Sequence, residues 1–411
     1  MIDVKDCFTA PIGQFCLPGA FQQGWIEENP MLDTRIVLAC ALAAGVSAIA
    51  LFILANLAER LGLVDRPNKR KLHQGNIPLV GGLSVFIGML VAALWFDGFS
   101  YFVKMLLATS AALALLGALD DRYDLSVRGR LLVQTAAILT VIGTTGVYIH
   151  SVGHLFGHEL ALGWLGVPFT VIAVIGLLNA FNMMDGIDGL AGSLSLVTIG
   201  AILLYSNAAQ MHGPTALMLL TGCALLPYLA ANLGLVGRKI FLGDAGSMVL
   251  GYLFAWTLID FSQASPRHIS PIDVLWCVAL PVLDTIAVMY RRLRQGKSPF
   301  KPDRGHIHHI LMGAGLSPRR SLVCLIALAA TLAFCGSVTR MLGTEVSLLT
   351  FGTLLAVYVV MVTRIWLRQE SRRRGLVGPP AANDADITSS GRNPMLPSTS
   401  QSPLHGGVQA E

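Results

Sequence analysis

The chain has 411 residues, of which 54% are hydrophobic and only 13% charged, and its formal net charge is +5. Together with a positive mean hydropathy, this composition argues against a pair of ordinary soluble domains. It is typical of a polytopic membrane protein.

Apolar windows long enough to span a bilayer occur about eleven times, which predicts an all-α integral membrane protein with about eleven transmembrane helices. The windows lie near residues 35–57, 79–96, 101–119, 131–149, 162–181, 190–206, 214–234, 243–261, 272–290, 320–339 and 344–364. Pro168, Pro227 and Pro281 fall inside windows, which a helix tolerates when its neighbours satisfy the freed carbonyl groups.

Basic residues are distributed unevenly between the loops. Of the 29 Lys and Arg residues, only Lys5, Arg35, Lys104, Arg267 and Arg340 lie on the side opposite the loop that follows the first window. By the positive-inside rule the N-terminus is outside, the C-terminus is cytoplasmic, and every acidic turn described below faces the cytoplasm.

The two ends of the chain differ in composition from the apolar region between them. Residues 1–32 are expected to form an external N-terminal extension, unless translation starts at Met31 and the extension is not made. Residues 33–368 form the polytopic membrane domain. Residues 369–411 are poor in large apolar side chains, which predicts a disordered cytoplasmic tail.

The first cytoplasmic turn combines an acid with a basic cluster. Asp65 is followed by four basic residues and a histidine, among them Lys71 and His73, and then by Gly81 and Gly82. Basic residues beside a membrane can simply be topology signals that hold anionic headgroups. A phosphate pocket explains Asp65 and His73 better, and the paired glycines allow another group to approach the backbone closely.

The second turn begins with adjacent acids at the end of the third window. Because Asp120 and Asp121 repel each other, two ionised carboxylates at this depth indicate a bound metal or a cationic partner. The alternative is a pair of ordinary solvated acids. Arg128 and Arg130 follow, and each could bind phosphate or serve only as a topology charge.

The third turn places two acids among glycines. Asn182, Asp185 and Asp188 are interleaved with Gly186, Gly189 and other small residues. Glycine keeps this backbone flexible and small, so that amide groups and carboxylates can both reach a ligand. Glycine-rich turns between spans are common, but that does not explain two acids and two asparagines, Asn179 and Asn182, packed among them.

The fourth turn is Phe-Leu-Gly-Asp-Ala-Gly-Ser. Asp244 has small neighbours and suits a metal ligand, and Ser247 could be a plain helix cap. Phe241 is a candidate for stacking on a flat ring, although a lone aromatic residue at a membrane boundary is more often an anchor.

The fifth and longest internal loop contains Arg304, His306, His308 and His309. Three histidines within four residues can indicate a transition-metal site, but neither a cysteine nor a His-Glu-x-x-His pattern accompanies them. Arginine and imidazole donors favour contact with a phosphorylated or hydroxyl-rich substrate over zinc. Asp284, deep in the ninth window, is expected to face the site or to pair with a base.

These five turns resemble the polyprenyl-phosphate N-acetylhexosamine-1-phosphate transferases over about residues 35–340. The shared motifs, in the family's order, are Asp-Arg-Pro-Asn-x-Arg-Lys-x-His, Asp-Asp, Asn-x-x-Asp-Gly-x-Asp-Gly, Gly-Asp-Ala-Gly-Ser and His-Ile-His-His. The last motif is similar to the WecA-type branch, which loads N-acetylglucosamine-1-phosphate onto undecaprenyl phosphate, rather than to the related MraY branch.

The resemblance implies a single eleven-helix domain in the bacterial inner membrane with a cytoplasmic active site. It implies a UDP-sugar donor, undecaprenyl phosphate as acceptor, UMP as the leaving product, and Mg²⁺ as cofactor with Mn²⁺ as a substitute. The product would begin a cell-surface polysaccharide such as the O-antigen of lipopolysaccharide. Membrane lipids are expected partners, nucleic acid is not, and a homodimer is left open.

The resemblance also implies a role for each matching residue. The expected roles are catalytic for Asp120, Asp121 and Asp185; metal-binding for Asp244, Asp120 and Asp121; nucleotide-binding for Asn182, Asp188 and Phe241; sugar-diphosphate-binding for Arg304, His306, His308 and His309; and lipid-phosphate-binding for Lys71, His73 and Arg130.

Direct displacement is the expected mechanism, because a phosphate monoester is mostly a dianion at neutral pH and hardly needs a base. A covalent aspartyl-phosphate intermediate is the alternative. Two other classes of protein compete with this interpretation. An intramembrane prenyltransferase would use Asp-Asp-x-x-Asp but needs a second acidic repeat, and a transporter would not explain the histidine loop.

Overall fold

A computed structural model describes residues 30–65, 75–206, 213–264, 269–298 and 305–376, with side chains from 34 to 372. The chain divides into a unit of Met1–Ile365 and a second unit of Trp366–Glu411. In the second unit the described residues belong to the last helix, which ends at Leu376. The expected positions of Lys71, His73 and Arg304 lie outside the described residues, as do most of the N-terminal extension and the tail.

The described chain is mostly helical. The helices are α1 Pro30–Leu61, α2 Gly81–Phe96, α3 Tyr101–Tyr123, α4 Val127–Thr145, α5 Gly166–Met184, α6 Leu190–Tyr205, α7 Pro214–Asn232, α8 Gly243–Gln263, α9 Val274–Cys277, α10 Ala279–Arg294, α11 Ile307–Gly313, α12 Pro318–Thr339 and α13 Thr344–Leu376. Each predicted window overlaps a helix. Seven of the described helices are long and apolar enough to cross a membrane, and α2 and α6 are shorter apolar helices.

Among the described residues, two short pairs of antiparallel strands interrupt the helices, and the sequence analysis predicted neither. Strand β1 (Val64–Asp65) pairs with β2 (Ile77–Pro78), and β3 (Ser151–Leu155) pairs with β4 (His158–Ala161). Their few residues carry too little periodicity to be recognised from sequence.

The ninth predicted window is not one continuous helix. It is divided at Val278, where φ is −124° and ψ is 26°, into α9 and α10. Pro281 lies in the first turn of α10, where its missing N–H group would be unpaired in any case. The proline therefore starts a new helix instead of continuing the preceding one.

Helix α8 is buried along almost its whole length and occupies the centre of the bundle. Its neighbours approach through glycines. A Cβ atom on Gly82 of α2 would lie 2.1 Å from Gly246, and one on Gly117 of α3 would lie 2.4 Å from Ala245. These contacts fix the first turn of α8 against the start of α2 and the end of α3.

Candidate active site

The first turn of α8 is held by an acid from the end of α3. Both carboxylate oxygens of Asp121 accept the backbone N–H of Asp244, each at 3.0 Å. Gly243 has φ of +75°, and a Cβ atom there would lie 2.6 Å from Asp121 Oδ2. A carboxylate is favourable at a helix N-terminus, where backbone N–H groups lack partners. Asp121 therefore caps α8.

The neighbouring acid points to a different partner. Asp120 is buried, and its Oδ2 lies 2.5 Å from Nη1 of Arg130, which lies 3.6 Å from Asp244 Oδ2. Asp120 Oδ1 accepts the N–H of Leu125 at 2.8 Å. Asn182 Nδ2 donates to Asp244 Oδ1 at 3.0 Å. Two carboxylates from α3 and α8 thus converge on one guanidinium group.

The glycine-rich loop after α5 is fixed by a residue that the sequence analysis did not single out. Asn232, at the end of α7, accepts the N–H of Gly189 at 2.5 Å and donates to the carbonyl of Ile240 at 2.8 Å. Gly189 has φ of +77°, which glycine adopts without strain. The signal available in the sequence was an asparagine near the end of an apolar window, because a polar group in such a place needs hydrogen-bond partners.

Asp185 follows the last residue of α5 directly. Its side chain is exposed, yet the surrounding protein removes enough hydration to raise the pKa of this carboxyl to about 7, with further increases from the charges of Asp121 and Asp188. Asp185 therefore changes charge near neutral pH.

Asp188 and Phe241 both contact one lysine. Lys239 Nζ forms an ion pair with Asp188 Oδ2 at 2.6 Å and lies 5.3 Å from the centre of the Phe241 ring. The backbone of Phe241 accepts from Gly81 N at 2.9 Å, and a Cβ atom on Gly81 would lie 2.4 Å from the Tyr228 ring. The prediction that the paired glycines permit close approach is confirmed.

The histidine loop is anchored by the acid of α10. Asp284 is fully buried, and its Oδ2 lies 2.7 Å from His306 Nδ1. Its Oδ1 accepts from Ile307 N at 3.0 Å and from the hydroxyl of Tyr358 at 3.2 Å. The expectation that Asp284 pairs with a base is confirmed.

His308 lies against the glycine-rich loop. A Cβ atom on Gly186 would lie 2.1 Å from His308 Nε2. The ring of His309 is 4.2 Å from that of His308. His308 is buried, and neither of its ring nitrogens has a hydrogen-bond partner among the described residues. Burial, together with the neighbouring His309 and His306, lowers the pKa of His308 to about 3, so this imidazole is neutral.

The acids suit a hard divalent ion better than zinc. Among the residues that the structure describes, no three His, Cys, Asp or Glu side chains form a cluster able to enclose a metal. Asp120 and Asp244 nevertheless converge on the guanidinium group of Arg130, and their side chains offer only oxygen atoms as ligands. Mg²⁺ accepts one or two protein carboxylates and takes its remaining ligands from water and phosphate. The donor set therefore fits Mg²⁺.

An apolar cavity of about 560 Å³ lies between α5, α8 and α10, with part of β3 along its lining. Phe169, Leu177, Ile259 and Val282 are among its walls, and it extends to Thr285, the residue after Asp284. A cavity with this lining suits a hydrocarbon chain.

The protein is a helical membrane protein that brings carboxylates, a glycine-rich loop and imidazoles together at one end of its bundle. This fold and site define the class of integral membrane enzymes. A family model described as glycosyl transferase family 4 matches residues 103–262. The chain is similar to undecaprenyl-phosphate alpha-N-acetylglucosaminyl 1-phosphate transferases from three bacteria. Identity is 42% in Yersinia pestis, over 75% of this chain and 85% of the relative.

The second of these relatives, from Escherichia coli K12, is 40% identical over 78% of this chain and 89% of its own length. The third, from Haemophilus influenzae, is 37% identical over 77% of this chain and 91% of its own length. The chain belongs to this family of undecaprenyl-phosphate N-acetylglucosaminyl 1-phosphate transferases, as its five motifs predicted.

Proposed function

We propose that the chain transfers N-acetylglucosamine 1-phosphate from UDP-N-acetylglucosamine to undecaprenyl phosphate and releases UMP. The observation that carries the proposal is the convergence of Asp120 and Asp244, two residues 124 positions apart in sequence, beside Asn182 at one end of the bundle. The names of the relatives supply the lipid acceptor and the transferred group.

Asp120 and Asp244 are the residues that would hold Mg²⁺, or Mn²⁺ in its place. When bound, such an ion neutralises charge that builds up on phosphate oxygens. Asp121 contributes indirectly, because both of its oxygens contact the amide of Asp244 and so fix where that carboxylate lies. Arg130, which contacts the two acids, would bind the phosphate of the lipid acceptor.

The donor would lie across the glycine-rich loop. Phe241 offers an aromatic face for the uracil ring, and Asp188 offers a carboxylate for its N–H group. Lys239 contacts both residues in this structure, so a bound nucleotide would displace it or share it. The imidazoles of His306 and His308 would then meet the sugar diphosphate.

The acceptor would enter from the membrane. The apolar cavity beside α10 would take part of a prenyl chain, and its lining includes Thr285, the residue after the acid that anchors the histidine loop. An oxygen of the lipid phosphate would attack the sugar-bearing phosphorus as the bond to UMP breaks. Because the acceptor is already a dianion, this direct displacement needs no side-chain base.

Eleven spans with a cytoplasmic site in the bacterial inner membrane complete the proposal. The uneven distribution of Lys and Arg supports this orientation. Nucleotide sugars are cytoplasmic metabolites, so the donor would be available at that face, where the product would begin a surface polysaccharide.

The test uses the purified full-length protein and radiolabelled UMP. Label should exchange into UDP-N-acetylglucosamine only when undecaprenyl phosphate and Mg²⁺ are both present. Exchange without lipid, or a phosphorylated protein trapped with donor alone, would contradict direct displacement. A panel of UDP-N-acetylhexosamines in the forward reaction identifies the sugar, and no transfer from any of them would refute the proposal.

A further inference from the structure

The carboxylate of Asp284 has no exposed surface, although it lies in a helix of a membrane protein. An ionised group in such a place is costly unless charge or hydrogen bonds compensate it. Three donors meet it here, from His306, Ile307 and Tyr358. Two of these three belong to the histidine loop, which indicates that the acid serves this loop.

We propose that Asp284 is a positioning residue for donor binding, which sets the tautomer and the orientation of His306. The inference rests on the proposed function, because it assigns the histidine loop to the UDP-sugar. Asp284 does not touch substrate in this proposal. It acts through His306 and through the backbone of Ile307.

The chemistry of the pair determines where the imidazole proton lies. A carboxylate only accepts hydrogen bonds, so the contact of 2.7 Å places a proton on His306 Nδ1. In the neutral ring, Nε2 is then the acceptor and can receive an N–H or O–H group. A sugar carries both kinds of donor, in its amide and hydroxyl groups.

The orientation of the His306 ring is linked to that of the neighbouring histidine, His308. The rings of His306 and His308 are parallel, with 5° between their planes and 6.0 Å between their centres. His308 in turn lies on Gly186. Two turns after Asp284 on the same helix, the Arg291 guanidinium donates to the carbonyl of Gly305. Helix α10 thus fixes the start of the loop at consecutive residues.

With an amide in place of the Asp284 carboxylate, the amide oxygen could still accept from Tyr358 and Ile307. It could not hold the proton of His306 on Nδ1. Asp284→Asn therefore isolates the proposed role. Its side-chain oxygen can still accept from Ile307 and Tyr358, but its NH₂ group would face His306 Nδ1 and drive the proton to Nε2.

The experiment measures steady-state kinetics of full-length Asp284→Asn, His306→Ala and the double variant, with UDP-N-acetylglucosamine and undecaprenyl phosphate varied separately. Asp284→Asn should raise the KM for the UDP-sugar about tenfold, the lower end of the effect found when a metal-ligating histidine loses its carboxylate partner, and leave the KM for the lipid unchanged. In the double variant the donor KM should equal that of His306→Ala alone, because the acid acts through the imidazole.

Asp273→Asn is the matched control. Asp273 is also a buried aspartate with a hydroxyl partner, since it accepts from Ser347 at 2.6 Å, but it contacts neither His306 nor the glycine-rich loop. Its donor KM should match the wild type. Equal effects of the two asparagine substitutions, or additive effects in the double variant, would reduce Asp284 to a general structural role and overturn the proposal.

The tautomer can also be read directly in the wild type, without relying on the activity of any variant. In wild-type protein with ¹⁵N-labelled histidine, the His306 resonance, assigned by its loss in His306→Ala, should show a protonated Nδ1. A proton on Nε2 alone would overturn the proposal even if transfer is normal. Absence of transfer by the wild type would refute the proposed function and leave this measurement standing.

Discussion

Asp121 contacts the backbone N–H of Asp244 with both carboxylate oxygens at 3.0 Å, although the two residues come from different helices. The contact separates the roles of the adjacent acids. Asp120 carries the ion pair with Arg130, and Asp121 closes the first turn of α8. Asp120 therefore supplies charge to the site, and Asp121 fixes the position of a third acid, Asp244.

Asp121→Ala should lower the free energy of unfolding by about 1 kcal/mol, the usual effect of losing a helix cap. It should also lower kcat about 100-fold, because small displacements of reacting groups cost that much. Thermal unfolding in detergent and the transfer assay measure the two effects. Asp124→Asn is the control, since Asp124 is an exposed residue of the same turn at φ of 51°, where asparagine is tolerated. A stable but inactive Asp121→Ala would contradict the capping role.

Metal binding can be measured without turnover by titrating Mn²⁺ and following its electron paramagnetic resonance. Asp244→Ala and Asp120→Ala should each weaken binding at least about tenfold, because the ion takes few protein ligands. Arg130→Gln should bind Mn²⁺ more tightly than the wild type, because no guanidinium then competes for the same two carboxylates. Weaker binding in Arg130→Gln would show that the arginine assists the ion instead of competing with it.

The helices were predictable because an apolar window of span length has few alternatives in a membrane. The division at Val278 was less predictable from the sequence. A proline inside a window can kink a helix or start a new one, and the packing of the neighbouring helices determines which of these occurs. Pro227, by contrast, lies within the continuous helix α7.

The acids of the site were predictable from their positions after apolar windows, but their individual partners were not. Successive residues of a helix point in directions about 100° apart, so Asp120 and Asp121 must face different neighbours. Which of them meets Arg130 depends on how α3 is rotated in the bundle. For the same reason Asn232, which joins the glycine-rich loop to the segment before α8, was missed.

Asp185 should make stability depend on pH. Its pKa is raised from 3.8 to about 7 in the folded protein, so between these values the folded state binds more protons than the unfolded state. Stability from this group therefore falls as pH rises through that window, and the full penalty is present above pH of about 7. Asp185→Asn removes the penalty. Its midpoint of thermal unfolding should exceed that of the wild type more at pH 8 than at pH 5, and an equal gain at both values would contradict the shift.

Gly186→Ala should disrupt the contact between the glycine-rich loop and the histidine loop, because the new Cβ atom would lie 2.1 Å from His308 Nε2. The ring is buried and cannot move freely, so kcat/KM for the UDP-sugar should fall about 100-fold. Gly200→Ala is the matched control, since nothing lies within 4 Å of a Cβ atom there and alanine favours the helix. Combining Gly186→Ala with His308→Ala should be no worse than His308→Ala alone, because the clash needs the ring. Additive losses would mean that Gly186 is needed for its backbone conformation and not for the space it leaves.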